Sequence, residues 1–221
     1  MTVVTLSRQV GSKGDEIATK VCDLLGFRYF DKQMIIDAAI DSDLCEHEVI
    51  DFSEDSYKMQ DFIARLFRAG PRTVKQRLIR EPEHGPIEPL TAQTLDEAHC
   101  ADLVRRAVLA AHETGNIMIV GRGGQAILQH MPGVLHVRVI APQEQRIQWL
   151  REKGVSGISE IKLTLEKRDR ATAEYLKRFF NIAWDDPELY HMVINTGLLT
   201  TDAAAQVIAE AVRQISPQPV A

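Results

Sequence analysis

Apolar positions in this chain fall into short β-type runs separated by longer stretches with helical spacing. The first run, Val3-Val4-Thr5-Leu6, passes through a small polar turn into a segment where Ile17, Val21, Leu24 and Leu25 recur at helical intervals. Gly26 closes that helix, and Phe27-Arg28-Tyr29-Phe30 reads as a short second strand. Asp31 stands at its end, where it can cap a helix over 32–39. A further helix begins at Thr91 or Thr94, the latter completing a capping box with Glu97, and buries Leu95, Ala98, Leu103, Ala107 and Ala110. Gly115-Asn116 stops it. Ile117-Met118-Ile119-Val120 is then wholly apolar, as a strand buried on both faces of a parallel sheet should be.

Gly121-Arg122-Gly123-Gly124 opens a short helix over 125–130, and residues 135–140 form the fourth strand candidate. Pro142 starts a helix over 143–153, and a long polar helix covers about 159–180. Trp184-Asp185-Asp186-Pro187-Glu188 turns into a short helix, Met192-Val193-Ile194 is the last strand, and Asp202 caps a final helix ending near Ile215. Parallel neighbours require crossovers, so this alternation predicts an α/β fold: a five-stranded parallel sheet in a three-layer sandwich, wound on both faces.

Residues 41–90 break the rhythm. Acidic residues crowd 41–61, then Arg65, Arg68, Arg72, Lys75, Arg77 and Arg80 take over. The Pro/Gly-rich stretch 81–89 cannot sustain a helix. This predicts one domain over 1–221 with a mostly helical lobe inserted at 41–90. The alternating charge leaves two readings open for that lobe, packing against a second copy in a homodimer or standing as a solvated cap.

Composition narrows the classes. The chain has 221 residues and a formal net charge of −5, against a protein held to nucleic acid mainly through phosphates. Cys22, Cys45 and Cys100 are far apart and lack metal-type spacing, which fits buried thiols in a reduced cytoplasmic setting. No apolar run approaches membrane-spanning length and no signal-peptide pattern is seen, so no membrane partner is expected. None of the seven histidines pairs with another at i+4, and no Cys/His cluster or Ser–His–acid series stands out. Tyr29, Trp184 and Tyr190 read as core or pocket walls, because no basic stripe interleaves with them.

In a parallel sheet of this kind, ligands sit beyond the carboxyl ends of the strands. The residues there are Ser7 to Asp15, Asp31, Gly121 to Gly124, 141–143, and Asn195-Thr196. A strand, a small-residue turn and a helix make a phosphate cradle, in which backbone N–H groups and the helix N-terminus face the anion and Lys13 adds a formal charge. Against G-x-x-x-x-G-K-[ST] the turn reads Ser7-x-x-x-x-Ser12-Lys13-Gly14, which leaves an ordinary strand-to-helix turn open as well. Arg122, flanked by glycines, can fork onto a phosphate or a base edge. The polar helix carries Lys162, Lys167, Arg168, Arg170, Lys177 and Arg178 among Glu166, Asp169 and Glu174. That is either a solvated face or a face that closes over a polyphosphate.

The run Thr5 to Ala18, with its Ser-Arg-Gln-x-Gly-Ser-x-Gly-x-Glu-Ile pattern, resembles the signature of the cytidylate kinase-like family. Tyr29-Phe30-Asp31-Lys32, Ile119 to Gly124, Arg168-Asp169-Arg170 and Tyr190 to Thr196 follow in the family's order, so the resemblance spans residues 2 to about 210. It implies a P-loop fold of the nucleoside-monophosphate-kinase type, with 41–90 as the acceptor-binding lobe and about 154–183 as a lid. It implies ATP and Mg²⁺, with Gly11, Ser12, Lys13, Gly14 and Asp15 on the donor's phosphates. Asp31 and Arg122 would face the acceptor nucleotide, Lys13, Arg168 and Arg170 would act on the transferring phosphoryl group, and Asn195 and Thr196 would lie near the donor base. Asp15 stands where true cytidylate kinases have threonine, a position from which it could bind the metal or repel the phosphates. Gly123 stands where cytidylate kinases have an acidic residue that helps recognise CMP. The implied activity is phosphoryl transfer from ATP to a nucleoside monophosphate, CMP or dCMP first. A kinase for another small acceptor and a catalytically weak nucleotide-binding module are the alternatives.

Overall fold

The computed structural model of the chain describes residues 2–30, 97–155 and 157–215. Asp31, the 32–39 helix, the 41–90 lobe and the capping box at Thr94 lie outside those residues. Within them the order is β1 (Val3–Arg8), α1 (Gly14–Leu25), β2 (Arg28–Phe30), α2 (Glu97–Thr114), β3 (Ile117–Val120), α3 (Gly124–Ile127), β4 (Val134–Ile140), α4 (Gln143–Glu152), α5 (Ile158–Phe180), a 3₁₀ turn (Pro187–Leu189), β5 (Met192–Asn195) and α6 (Thr201–Gln214).

The five strands form one sheet in the order β2-β3-β1-β4-β5, and every neighbouring pair is parallel. β1 is central, and that position explains its sequence. Val3, Val4, Thr5, Leu6 and Ser7 are all buried, because both faces of the strand are covered. Val3, Ile117, Ile119 and Val134 face a core with Val104, Val108 and Ala111 of α2 and Tyr175 and Leu176 of α5. Val4, Leu6, Met118, Leu135, Val137 and Val139 face the other core, with Ile17, Ala18 and Val21 of α1 and Ala204, Ala205 and Ile208 of α6. The wound, three-layer arrangement expected from the apolar runs is the one present.

Two local details differ from the sequence pattern. β1 runs on through Ser7 and Arg8, which pair with Arg138 and Val139 of β4. Ser7 is therefore a strand residue, and its Oγ accepts the indole N–H of Trp184 at 2.7 Å. Trp184 and Tyr190 are buried around Arg138, whose guanidinium lies over both rings and donates to the Trp184 carbonyl. The final helix is capped by Thr200, whose Oγ1 accepts from Ala203 N at 3.2 Å, and Asp202 lies in its first turn. Asp202 instead takes Lys20 Nζ at 2.6 Å, tying α6 to α1.

Polar side chains buried in the sheet are matched to partners. Thr5 of β1 stands opposite His136 of β4, and its Oγ1 lies 2.7 Å from His136 Nδ1. The backbone N–H of His136 donates to His191 Nδ1 at 2.9 Å. Burial, with His191 second, pushes the His136 imidazole down to about 4. The neutral ring is the form that this site holds.

Candidate functional site

Beyond Arg8 the chain leaves the sheet edge in a turn fastened on three sides. Gln9 N donates to Val139 O at 3.0 Å, and the Gln9 side-chain oxygen accepts from Ala141 N at 3.1 Å, so the end of β4 holds its start. Ser12 is fully buried, and its hydroxyl and its N–H both donate to the Gln9 carbonyl, at 2.8 and 3.2 Å. Thr196, just past β5, donates from Oγ1 to the Ser12 carbonyl at 2.9 Å. Lys13 then takes a left-handed conformation (φ 61°, ψ 20°), and α1 begins at Gly14. The first N–H groups of a helix have no intrahelical acceptor, so those opening α1 are donors aimed off the sheet edge.

A third restraint reaches the loop from two helices. Arg146 of α4, almost fully buried, donates from Nε to the Val10 carbonyl at 2.7 Å and from Nη2 to Asp169 Oδ2 at 2.6 Å. Asp169 of α5 accepts the Val10 N–H on its other oxygen at 3.1 Å. One arginine and one carboxylate thus grip both backbone groups of Val10. Gly11 fits this close approach: its φ is 76°, and a Cβ there would stand 3.2 Å from the Arg146 carbonyl.

The loop backbone and the side chains of Arg8, Lys13, Asp15 and Arg168 enclose a cleft of about 70 Å³. Arg8, Lys13 and Arg168 border it together with one carboxylate. That carboxylate, Asp15, is exposed and accepts from Arg8 Nε at 3.1 Å. The stem of Arg8 crosses Gly14 so closely that a Cβ on residue 14 would be 2.5 Å from Arg8 Cβ. Glycine at 14 is what lets Arg8 reach Asp15. No group of three His, Cys, Asp or Glu side chains suited to a metal occurs among the described residues. One carboxylate beside phosphate oxygens is nevertheless the donor set that Mg²⁺ commonly takes.

The Lys13 ammonium lies 4.2 Å from the centroid of the Trp149 ring. Trp149 belongs to a second cleft, about 320 Å³, bordered by Lys13, Thr196 and residues 197–201. Lys13 borders both clefts.

The remaining expected residues fall into place unevenly. Gly11, Lys13, Gly14, Asp15 and Arg168 converge on the first cleft, whereas the side chain of Ser12 turns inward and braces the loop. Arg170 is exposed and borders neither cleft. Thr196 borders the second, and Asn195 shapes the turn below it by accepting Gly197 N at 2.9 Å. Arg122 lies at the end of β3 in a run of three left-handed residues, Gly121, Arg122 and Gly123, with φ of 69°, 60° and 67°. It borders neither cleft. A Cβ on Gly123 would meet the Phe180 ring at 2.5 Å. Asp31 lies outside the described residues.

Sequence reasoning missed Trp149, Arg146 and the part played by Arg8 and Asp169. Arg146 and Trp149 are three apart on the helix that follows β4, a spacing that puts both on one side of that helix, close to the sheet edge. That spacing was the available signal.

The cytidylate kinase-like family matches residues 3–198. A uronate isomerase of Corynebacterium glutamicum is 32% identical over 109 residues, which is 48% of this chain, and the chain spans 20% of the length of that curated relative. An uncharacterized protein from Eubacterium ventriosum shares the fold at TM-score 0.62 and 15% identity, over 97% of this chain and 99% of that one. A shikimate kinase from Acinetobacter baumannii, solved in complex with shikimate, overlaps 98% of this chain and 96% of its own at TM-score 0.48 and 9% identity.

Proposed function

The chain belongs to the cytidylate kinase-like family, and from that premise we propose that it transfers the γ-phosphoryl group of ATP to a nucleoside monophosphate, CMP or dCMP being the first acceptor to test. One observation carries the reading: Arg8, Lys13 and Arg168 converge on a braced loop at a helix N-terminus, and Lys13 joins that cleft to one large enough for a nucleobase. In this reading the loop N–H groups and the three cations hold the donor's phosphates. Charge spreads over the γ-phosphoryl oxygens as the bond to the β-phosphate breaks and the acceptor oxygen closes in, and fixed cations stabilise it. Arg168 is next in sequence to Asp169, whose carboxylate accepts the Val10 N–H. The attacking phosphate is already anionic, so no general base is required. Among the described residues of the cleft, Asp15 is the carboxylate that would hold Mg²⁺, and the ion would supply charge neutralisation there.

The test is a coupled ADP-release assay with purified protein, ATP, Mg²⁺ and each monophosphate in turn. Turnover with a pyrimidine monophosphate is expected, and no turnover with any monophosphate overturns the reading.

A second reading, a kinase for another small anionic acceptor, is favoured by one observation. Cytidylate kinases carry an acidic side chain after the Gly-Arg pair, and here Phe180 occupies the space that such a side chain would need at Gly123. A screen of metabolites for ATP-dependent phosphorylation separates the two.

A further inference from the structure

We propose that the indole of Trp149 is a shared platform: it holds the Lys13 ammonium while the donor site is empty and exchanges it for the donor's nucleobase, which sends Lys13 to the phosphates. The inference rests on the reading of the donor as a nucleotide and adds a device to it. Base recognition and delivery of the loop's lysine become one mutually exclusive exchange.

The geometry supports this at both ends. The Lys13 ammonium sits 4.2 Å from the ring centroid, within the range of a cation–π contact, and both residues border the second cleft. Among the described residues that cleft, about 320 Å³, has no carboxylate on its wall and Trp149 is its one aromatic; residues 196–201 complete its lining. Among the described residues a base entering it has a single ring to stack on. Glu16, a carboxylate that feels the Lys13 charge, is already held by Thr201 Oγ1 at 2.7 Å and Lys20 Nζ at 3.0 Å. Lys13 borders the phosphate cleft as well, so rotation of its side chain alone changes its partner.

The two ends are also fixed relative to each other. Arg146, one turn before Trp149 on α4, grips the Val10 carbonyl, three residues before Lys13. The lysine backbone is set in its left-handed turn between the buried Ser12 and the start of α1. Neither the ring nor the lysine Cα needs to move. A triphosphate without a base has no means of clearing the indole, and must draw the lysine away from it unaided.

Calorimetric titration of three ligands with Mg²⁺ tests the exchange: ATP, inorganic tripolyphosphate and adenosine. Trp149→Ala removes the stacking surface but frees the lysine. It is expected to weaken ATP about tenfold or more and to tighten tripolyphosphate about threefold. A merely structural tryptophan would weaken both. Trp149→Phe should recover most of the ATP affinity. Conversely, Lys13→Ala uncovers the ring and is expected to tighten adenosine about threefold while weakening tripolyphosphate. This variant decides the matter if Trp149→Ala fails to fold. Tripolyphosphate bound no more tightly by folded Trp149→Ala, or adenosine bound no more tightly by Lys13→Ala, overturns the exchange. If the unaltered protein binds neither ATP nor tripolyphosphate, the nucleotide reading fails and the exchange falls with it. ATP binding without phosphoryl transfer overturns the kinase reading alone, and the affinities above still decide the exchange.

Discussion

Residue 14 is where the loop's chemistry depends on the absence of one carbon. Arg8 crosses it at a distance no side chain could tolerate, and by doing so reaches Asp15. The carboxylate that stands beside the first cleft thereby comes with its own counter-charge. Gly14→Ala tests this arrangement. Alanine favours the helix that begins there by up to about 1 kcal/mol, but overpacking against Arg8 costs about 1–3 kcal/mol. The expected outcome is a net loss of stability in a urea melt, with tripolyphosphate binding weakened about tenfold because Arg8 leaves Asp15 uncompensated. A variant that melts and binds as the parent does would show that Arg8 is free to go elsewhere. Lys13 shows the limit of motif reading at this scale. Its presence was legible, but its ammonium lies on an indole 136 positions along the chain, a pairing that no local pattern carries.

Between elements, the grip on Val10 decides how α4, α5 and the loop move together. Arg146 is nearly buried and Asp169 mostly so, and removing one partner leaves the other desolvated without compensation. Asp169→Leu alone is expected to cost about 3–5 kcal/mol and to slow any phosphoryl transfer by releasing Arg168 from the cleft. The double variant Arg146→Met/Asp169→Leu should cost less than the two single changes added together, because it leaves no lone charge. Additive losses in denaturant titrations would refute that coupling. The strands were legible because a run buried on both faces has no polar positions to spare, as Ile117 to Val120 shows. The grip was not. A charged residue on a polar helix is solvated by default, and only the meeting of α4 and α5 over the loop turns Arg146 and Asp169 inward. The final cap was misread for a simpler reason: Thr200 and Asp202 are both good caps, and Asp202 had Lys20 waiting on α1.

At the scale of the molecule, the strand order puts β1 between β3 and β4, so the loop after it is braced from the ends of β4 and β5. The same sheet carries a pH dependence away from the site. His136 links β1 through Thr5 and the entry to β5 through His191. Its folded-state value is about 4, below the ordinary 6.5, so the unfolded chain takes up the proton first. Stability is therefore unaffected by this group above about pH 6.5 and falls as the pH drops from there towards 4, by at most about 3 kcal/mol. His136→Gln should be less stable at pH 8, having lost a fitted ring, yet flatter between pH 6.5 and 4. Parallel urea midpoints across that window check it, and equal slopes for the two proteins would count against the imidazole. No helix among the described residues is long and apolar enough to cross a membrane.

The left-handed turn at Lys13 has a consequence for anyone improving this protein. A lysine held at φ 61° gives up roughly 1 kcal/mol that glycine would not. Selection for heat resistance, blind to activity, would therefore replace the one lysine common to both clefts and count the change as a success. In directed evolution, position 13 is where thermal tolerance and turnover should pull in opposite directions.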